Sequence, residues 1–600
     1  MRRLAIFLLA LAFVSAGDDF PPIPPLPETS FPTAAAAEPF ARALLARVPP
    51  EALAKRLKDQ PELIPPVLRN LGTALLTNDA ALRDRLAVYV GGVARAFPAR
   101  NDEELRRLAA IAVVDPVRYG GDEAFRRRMN ALLPRIVAVA PPATARAILD
   151  ELTTLLPLDF DTAEAVATAA HLVPRASSAR RVPFDRAKLA MPDDLSGPID
   201  ASFFSLSSAY FAPSEAKAFV AAVKATSPRR RIVVLGDEAM HKALGDAVTF
   251  IDDHARPFSP WPRDPFVVAR ARGGAVTFIN RPNPQPHREE DQLMVRTIVQ
   301  GLPPAVDAAW DHAQWTVAPT PLHNGHILLT PSAVWISIHT VEVRARQILG
   351  LDRVPVETFD TAAGVQRYLD AVRRAAGELQ AFYGRPVRFV HALDASPALM
   401  TRLGGGAGFD LDSIVTILPR ANGKNDALVG DVNLGTAAIR GAAASEIASL
   451  HRAYGFRDDG EALRARLIEA QSRNAALQGF LDEIATDLQR DGLTVRRLPL
   501  LNLPVSLLAR EELDQSSAFL LTWNNVVLET RGAKRRAEGF ASLLLSADRA
   551  AKQTFAASGY ELDLFPPLIG SVVRSGGYRC ASNHLRPLAT SRSSGTRGTP

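Results

Sequence analysis

Cys580 is the only cysteine in the 600 residues of the chain, and its neighbours are residue types that serve chemistry. The segment reads Ser575-Gly576-Gly577-Tyr578-Arg579-Cys580-Ala581-Ser582-Asn583-His584-Leu585-Arg586-Pro587. Paired glycines let a backbone approach its neighbour closely or take a positive φ. Arg579 and Arg586 flank the thiol, and a cationic setting favours the thiolate, which is the nucleophilic form. The start of the chain adds a second argument. Met1-Arg2-Arg3, the apolar run Leu4–Val14 and the small residues Ser15 and Ala16 before Gly17 read as a signal peptide over residues 1–16. In an oxidising compartment structural cysteines are normally paired, and a single one cannot close an internal bridge. An inert buried thiol and an intermolecular disulfide are the alternatives. The surrounding residues favour a nucleophile.

Two further clusters offer carboxylates. Phe258-Ser259-Pro260-Trp261-Pro262-Arg263-Asp264-Pro265-Phe266 carries prolines that exclude a helix or a central strand. It predicts a rigid loop presenting Trp261, Arg263 and Asp264. A structural turn with an Arg–Asp surface pair is the plainer reading, whereas a fixed carboxylate beside an aromatic face also suits a planar cation. Gly404-Gly405-Gly406-Ala407-Gly408-Phe409-Asp410-Leu411-Asp412 runs into an apparent strand from Ser413 to Leu418. Phosphate-binding glycine loops lead into helices, so that reading is weak. Asp410 and Asp412 fall on one side if both are extended; calcium binding or simple solvation are the alternatives.

The elements that must position these residues fall into two textures. After a Pro-rich spacer (17–33), residues 34–172 are rich in Ala, Leu, Arg and Glu, with apolar residues at helical spacing such as Leu44, Leu45 and Val48, or Leu105, Leu108 and Ile111. Pro49-Pro50, Pro65-Pro66 and Pro141-Pro142 separate short helices, which predicts an all-α domain. A linker (173–199) rich in Arg, Ser and Pro follows. From 200 to 589 short β-rich runs, Arg231–Leu235, Ala275–Ile279, Ile327–Thr330, Ala333–Ser337, Phe519–Thr522 and Val526–Leu528, alternate with amphipathic helices such as 362–382 and 475–491. This predicts an α/β domain. Residues 590–600, mostly Ser, Thr, Gly and Arg, predict a disordered tail.

Bulk composition narrows the partners. There are 70 Lys and Arg against 64 Asp and Glu, a net charge of +6 spread over 600 residues, with no long basic block carrying interleaved aromatics. Nucleic acid is therefore not expected as a partner. No later apolar stretch is long enough to span a bilayer, so no membrane contact is expected once the signal is removed. The expected location is periplasmic or secreted.

Taken in order, the three clusters resemble the pentein superfamily of guanidine-modifying enzymes, over roughly residues 201–588. The Gly-Gly-x-x-Cys-x-Ser-Asn-x-x-Arg pattern, with Cys580, Asn583 and Arg586, looks most like that of protein-arginine deiminase and arginine deiminase. Trp261-Pro-Arg263-Asp264 is similar to the family's first substrate carboxylate. Asn324-Gly325-His326-Ile327-Leu328 occupies the place of a Gly-Gly-Asn-x-Leu turn, and Thr522-Trp523-Asn524-Asn525 is similar to a Tyr-Asn-Asn strand. The resemblance implies a five-bladed α/β propeller, here preceded by the all-α domain, with the active site on its axis. It also implies a substrate and a mechanism. Asp264 and Asp412 bind the guanidino group of arginine or of a peptide or protein arginine, with Trp261, Arg263, Asn324, Asn583 and Arg586 lining the site. Cys580 attacks the guanidinium carbon, ammonia leaves, and water resolves the covalent intermediate. No metal or other cofactor is required by that chemistry. Animal protein-arginine deiminases use calcium but carry immunoglobulin-like N-terminal domains, so calcium is not carried over to this chain.

One position departs from the pattern. Relatives carry His-x-Asp where this chain has Asp410-Leu411-Asp412, so the position of the family's proton donor holds an aspartate. Three explanations stand open. Asp410 itself is the acid/base, its pKa raised by Asp412 or by burial. A histidine substitutes, with His326 and His584 better placed than His323 and His391. Or the protein binds guanidinium without turnover. An amidinotransferase is the alternative enzyme. The helical domain either recognises a macromolecular substrate or braces the propeller.

Overall fold

The computed structural model describes residues 31, 34–60, 63–75, 77, 79–96, 181–191, 197–253, 258–271, 274–282, 288–302, 312–322, 324–350, 360–393, 410–420, 423–531 and 533–586. The signal peptide, nearly all of the spacer, the helical region beyond residue 96, part of the linker, the glycine run 404–408, His323 and the tail lie outside the described residues. The chain separates into two units, Met1–Ser178 with Asn283–Glu289, and Ala179–Pro282 with Glu290–Pro600.

The described part of the first unit is helical: Ala34–Arg47, Pro50–Asp59, Ile64–Ala74 and Ala80–Ala96. Pro50 opens the second helix, where its missing N–H costs nothing. Asp79 caps the fourth, its Oδ1 accepting from the Leu82 amide at 3.1 Å. Leu44, Leu53, Leu57, Leu71, Leu86 and Val93 form the buried faces. None of the described helices is long and apolar enough to cross a membrane.

In the second unit one arrangement recurs: an antiparallel pair of strands, a helical crossover, and a third strand parallel to the second. Phe266–Ala271 and Val276–Asn280 pair antiparallel, and Gln314–Val317 returns parallel after the helix Met294–Gly301. Ile327–Leu329 and Val334–Ile336 are followed by Val387–Phe389 after the helices Ile338–Leu349 and Ala362–Tyr383. Val415–Pro419 and Asn425–Asp431 precede Thr494–Pro504, which also pairs with Ala518–Thr522. Val527–Arg531 and Lys534–Phe540 precede Glu561–Phe565. In the fifth case Ala201–Ser205 and Arg231–Gly236 run parallel, and the antiparallel partner of Ala201–Ser205 is Asn583–Leu585, from just beyond Cys580. The described residues thus form five separate sheets of four, three, four, three and four strands, a mixed α/β architecture.

Local sequence explains much of this. Ala201–Ser205, Val276–Asn280 and Ile327–Leu329 are buried at every residue; the last is a continuous apolar run, and the other two bury Ser202, Ser205, Thr277 and Asn280 among apolar side chains. Helix Ala362–Tyr383 starts with Thr361 accepting from the Gly364 amide and ends on Gly384 at φ 67°. One expectation is corrected. Leu411–Ser413 is a 3₁₀ turn and the strand starts only at Val415, so Asp410 and Asp412 are not alternate residues of a strand.

Candidate active site

Cys580 sits between the short helix Ile569–Val572 and the strand Asn583–Leu585. Two residues earlier, Tyr578 anchors the segment in the core. Its fully buried ring packs on Phe540 at 5.6 Å and Phe565 at 5.4 Å, and its hydroxyl donates to Glu538 at 3.0 Å. Glu538 in turn receives the buried Arg230 guanidinium at 2.7 Å. The glycines before it serve close approach. Ser575, not either glycine, takes the positive φ, 68°. A Cβ on Gly576 would lie 1.9 Å from the Trp261 indole nitrogen, and one on Gly577 would lie 2.5 Å from Asn525 Cβ.

Asn525 is what that second approach makes room for. Its Oδ1 accepts from the Cys580 amide at 3.0 Å, and its Nδ2 reaches Cys580 Sγ at 3.0 Å and Asp412 Oδ1 at 2.8 Å. One amide therefore fixes backbone, sulfur and carboxylate together. Asp412 is fully buried, with Oδ1 3.8 Å from the sulfur and Oδ2 accepting from Arg579 Nη1. Arg579 also donates to the carbonyls of Asn324 at 3.3 Å and Ile327 at 2.6 Å. Asp410 completes the group, since a carboxylate oxygen from each of Asp410 and Asp412 and the Cys580 sulfur all lie within 4.8 Å of one another. These are the only grouped metal-ligating side chains found among the described residues. Arg579 already stands against Asp412 there, a fixed cation that a metal ion would have to displace.

The proline-bound loop is braced from two sides. Asn324 Nδ2 donates to the carbonyls of Arg263 and Phe266, both at 3.1 Å, and Asn583 Nδ2 to those of Pro262 at 3.1 Å and Phe266 at 2.8 Å. The Arg263 amide reaches the Cys580 carbonyl at 3.4 Å, which ties the loop to the nucleophile. Asp264 is buried, and its charge bears on both Cys580 and Asp412. Trp261 donates its indole N–H to Ser571 at 3.1 Å. Arg263 is buried near Arg579, and burial, then that neighbouring charge, lowers its pKa well below the usual arginine value. Asn324 and Asn583 thus orient the loop through its carbonyls. Arg586 gives its guanidinium to the carbonyls of Gly197 and Leu528, each at 2.7 Å.

The histidines separate clearly. His584 lies on the strand with both ring nitrogens engaged, Nδ1 with Ser202 at 3.0 Å and Nε2 with Ser582 at 2.9 Å. Burial, and after it the Arg586 charge, pushes its pKa well below the ordinary histidine value, so it stays neutral. His391 is buried beside Phe480, with ring centres 6.5 Å apart. His326 joins the carboxylates instead, with Nε2 3.1 Å from Asp410 Oδ1.

The electrostatics oppose one sequence expectation. Burial first, and then the charges of Asp412, Asp410 and Asp264, push the Cys580 thiol well above its ordinary pKa, against the weaker pull of the Asn525 amide. The flanking arginines do not make a thiolate here: Asp412 meets the Arg579 charge, and Arg586 points to distant carbonyls. Asp412 is itself pushed up to about 7, by burial and by the charges of Asp410 and Asp264, against Arg579. Neither the clamp made by Asn525 nor the Arg579–Asp412 pair follows from residue types alone. The adjacent asparagines after Trp523, polar residues at the end of an apolar strand, are the available signal.

No protein-family model matches the chain, and no curated protein does. Among solved structures, agmatine deiminase of Enterococcus faecalis, described as catalysing its reaction, is similar at 11% identity and a TM-score of 0.41, covering 66% of this chain and 96% of that one. The chemistry of the site is therefore argued from its own residues.

Proposed function

We propose that the protein is a hydrolase that deiminates a guanidino group through a covalent amidino-cysteine, with arginine or peptidyl-arginine as substrate. The observation that carries this is a thiol, Cys580, held by Asn525 and raised in pKa by burial and then by three carboxylates, Asp412, Asp410 and Asp264. Such a site discriminates between ligands by charge. A planar cation entering among the carboxylates offsets the negative charge that disfavours the thiolate, so binding and activation of the nucleophile become one event. The Arg579 guanidinium on Asp412 illustrates that this carboxylate accepts such a group. Attack by sulfur on the guanidinium carbon, departure of ammonia and hydrolysis of the thiouronium by water complete the turnover. The five repeated sheet units are consistent with five blades carrying loops to one centre: Cys580, Asp264, Asn324, Asp412 and Asn525 come from the connections of different strands. On the pattern of residues 1–16 alone we place the mature protein in the periplasm or outside the cell. Purified protein whose N-terminal sequence still begins at Met1 would remove that part of the proposal.

The test is ureido-product and ammonia formation from arginine, a blocked arginine amide and agmatine, with Cys580→Ala as the control. Turnover of at least one substrate, absent in Cys580→Ala, is expected. If none is turned over, yet an arginine analogue still protects Cys580 from alkylation, the protein binds guanidinium without hydrolysing it. Formation of a new amidino compound when an amine is added would instead identify an amidinotransferase.

A further inference from the structure

The deiminase reading requires a group that takes the thiol proton and returns it to the leaving amine, and the His326–Asp410 pair has a geometry that assigns those tasks. Asp410 is the residue whose carboxylate shares the 4.8 Å cluster with Cys580 and Asp412. That separation is within reach of a proton transfer through one water. The carboxylate lies over the turn Asn324–His326, where a Cβ on Gly325 would sit 2.3 Å from Asp410 Oδ2. Glycine is needed there for Asp410 to take its place.

His326 is fixed at three points. Its carbonyl accepts from Thr340 Oγ1 at 2.9 Å, and Thr340 Oγ1 accepts from the Ser337 amide at 3.1 Å, which ties the turn to the start of helix Ile338–Leu349. Its Nδ1 accepts from the Leu411 amide at 3.3 Å. An amide N–H can only donate, so Nδ1 carries no proton and the ring proton resides on Nε2. Nε2 then donates to Asp410 Oδ1 across 3.1 Å. A hydrogen bond to the charged form of a carboxylate favours that form. The interaction therefore counters Asp412, whose neighbouring charge would otherwise drive Asp410 towards its acid.

We infer that Asp410 is the proton-transfer group of this site, and that His326 is a positioning residue that aims its carboxylate and holds it ionised. The inference rests on the deiminase reading for its substrate. In the sequence of events, the Cys580 S–H proton passes to Asp410 as the C–S bond forms. Asp410 then protonates the departing nitrogen as the C–N bond breaks and ammonia leaves, which restores the carboxylate. Water attacks the thiouronium carbon, losing a proton to Asp410. Collapse expels the thiolate, which recovers that proton, and the protonated ureido product gives its remaining proton to bulk water, where the ammonia released earlier takes one up as ammonium. His326 keeps its proton throughout.

Several charged or titratable groups face the pair. Asp412, from the same turn, and Cys580, from the cysteine segment, interact with Asp410 directly, and Arg579 and Asp264 bear on Asp412 behind it. On the outer side stand His339, with its ring centre 6.3 Å from that of His326, and Glu342, 3.2 Å from His339 Nδ1. The experiment therefore uses variants that change one feature at a time, followed by pH profiles of kcat/KM and by the rate of iodoacetamide alkylation of Cys580.

Asp410→Asn is expected to lower kcat by about 10²-fold or more, the usual range for a lost acid–base group. His326→Ala should lose about tenfold in kcat/KM at the acidic end and move the acidic limb up by about one pH unit, recovering as pH rises. His326→Gln keeps an N–H near the Nε2 position but cannot titrate. It should hold the wild-type limb and stay within about threefold of wild type, because only one hydrogen bond is altered. If His326→Gln fails as His326→Ala does, the histidine itself moves the proton and the assignment is overturned. An unchanged profile in His326→Ala also overturns it. Alkylation needs no turnover, so it decides the pair even if the wild type hydrolyses no guanidine, an outcome that would refute the deiminase reading separately. Removing the Asp410 charge should speed alkylation about tenfold near neutral pH, which corresponds to one unit of thiol pKa. His326→Ala should fall between Asp410→Asn and wild type, and His326→Gln should match wild type. Equal rates in all four proteins would overturn the inference.

Discussion

Gly577→Ala tests whether the close approach of two loops holds the nucleophile. A Cβ at this position would lie 2.5 Å from Asn525 Cβ and 2.7 Å from both its Cγ and Oδ1. Carbon atoms sit comfortably at about 3.5–4.0 Å, so the two chains must separate by roughly 1 Å. The nearest atom struck, Cβ, is the base of the asparagine, so rotation of the terminal amide alone cannot relieve the clash. Overpacking of this kind costs about 1–3 kcal/mol. The displaced amide is the one bonded to the Cys580 amide, to its sulfur and to Asp412, so catalysis should suffer more than stability. A displacement of about 1 Å at a reacting group is worth on the order of 10² in rate. Urea unfolding should show a lower midpoint at unchanged slope, and the deiminase assay a fall mainly in kcat. Gly479→Ala is the internal control. It lies within helix Ala475–Arg490, where an added Cβ would meet nothing within 4 Å, so it should gain about 0.5–1 kcal/mol and leave turnover unchanged. If Gly577→Ala unfolds at the wild-type urea concentration and turns over at the wild-type rate, Asn525 does not hold the sulfur as described.

Other perturbations follow from the buried charges. Arg579→Met leaves the fully buried Asp412 without its cation and should cost about 3–5 kcal/mol in chemical denaturation. Adding Asp412→Leu should recover most of that loss, and a double variant no more stable than Arg579→Met would show that the pair is not the cause. His584 gives a pH signature. Its folded pKa is depressed, so below about pH 6.5 the unfolded chain binds a proton that the folded one does not. Stability should therefore fall as pH drops below that value, by at most about 1.4 kcal/mol per pH unit. His584→Gln should show a shallower acid slope in melting temperature, and an identical slope would count against a neutral buried imidazole.

Legibility from sequence followed the range of the interaction. The run Arg231–Leu235 is observed as the strand Arg231–Gly236, and the amphipathic stretches as helices Ala362–Tyr383 and Ala475–Arg490, because burial there is written into consecutive residues. Thr494–Pro504 does not read as a strand, since Arg496, Arg497 and two prolines disguise an element paired on both sides. Asn583–Leu585 is hidden for a related reason: its polar side chains find partners across the fold, as His584 does at Ser202 and Asn583 at Pro262. At the site, residue types nominate Cys580 and the family resemblance adds Asp412, which the structure places 3.8 Å from the sulfur. They could not show that Arg579, next to the cysteine in sequence, turns its side chain to Asp412. Nor could spacing show that His584, four residues from the thiol, would be held by two serines while His326 meets Asp410.

The pairing of Asn583–Leu585 with Ala201–Ser205 has a consequence for when the protein can become active. Ser202 and His584 are 382 positions apart in sequence, so the sheet of Ala201–Ser205 lacks an edge until the chain has been made as far as Leu585. Contacts over such separations form late, because the intervening chain must be ordered first. A nascent chain interrupted before Cys580 would own every carboxylate of the site and no nucleophile. One interrupted just after it would own the nucleophile without the strand that locks it. Reactivity is thereby deferred until the strand beyond Cys580 has paired, and a thiol that could be oxidised or misdirected on the way is assembled only after the carboxylates that receive it.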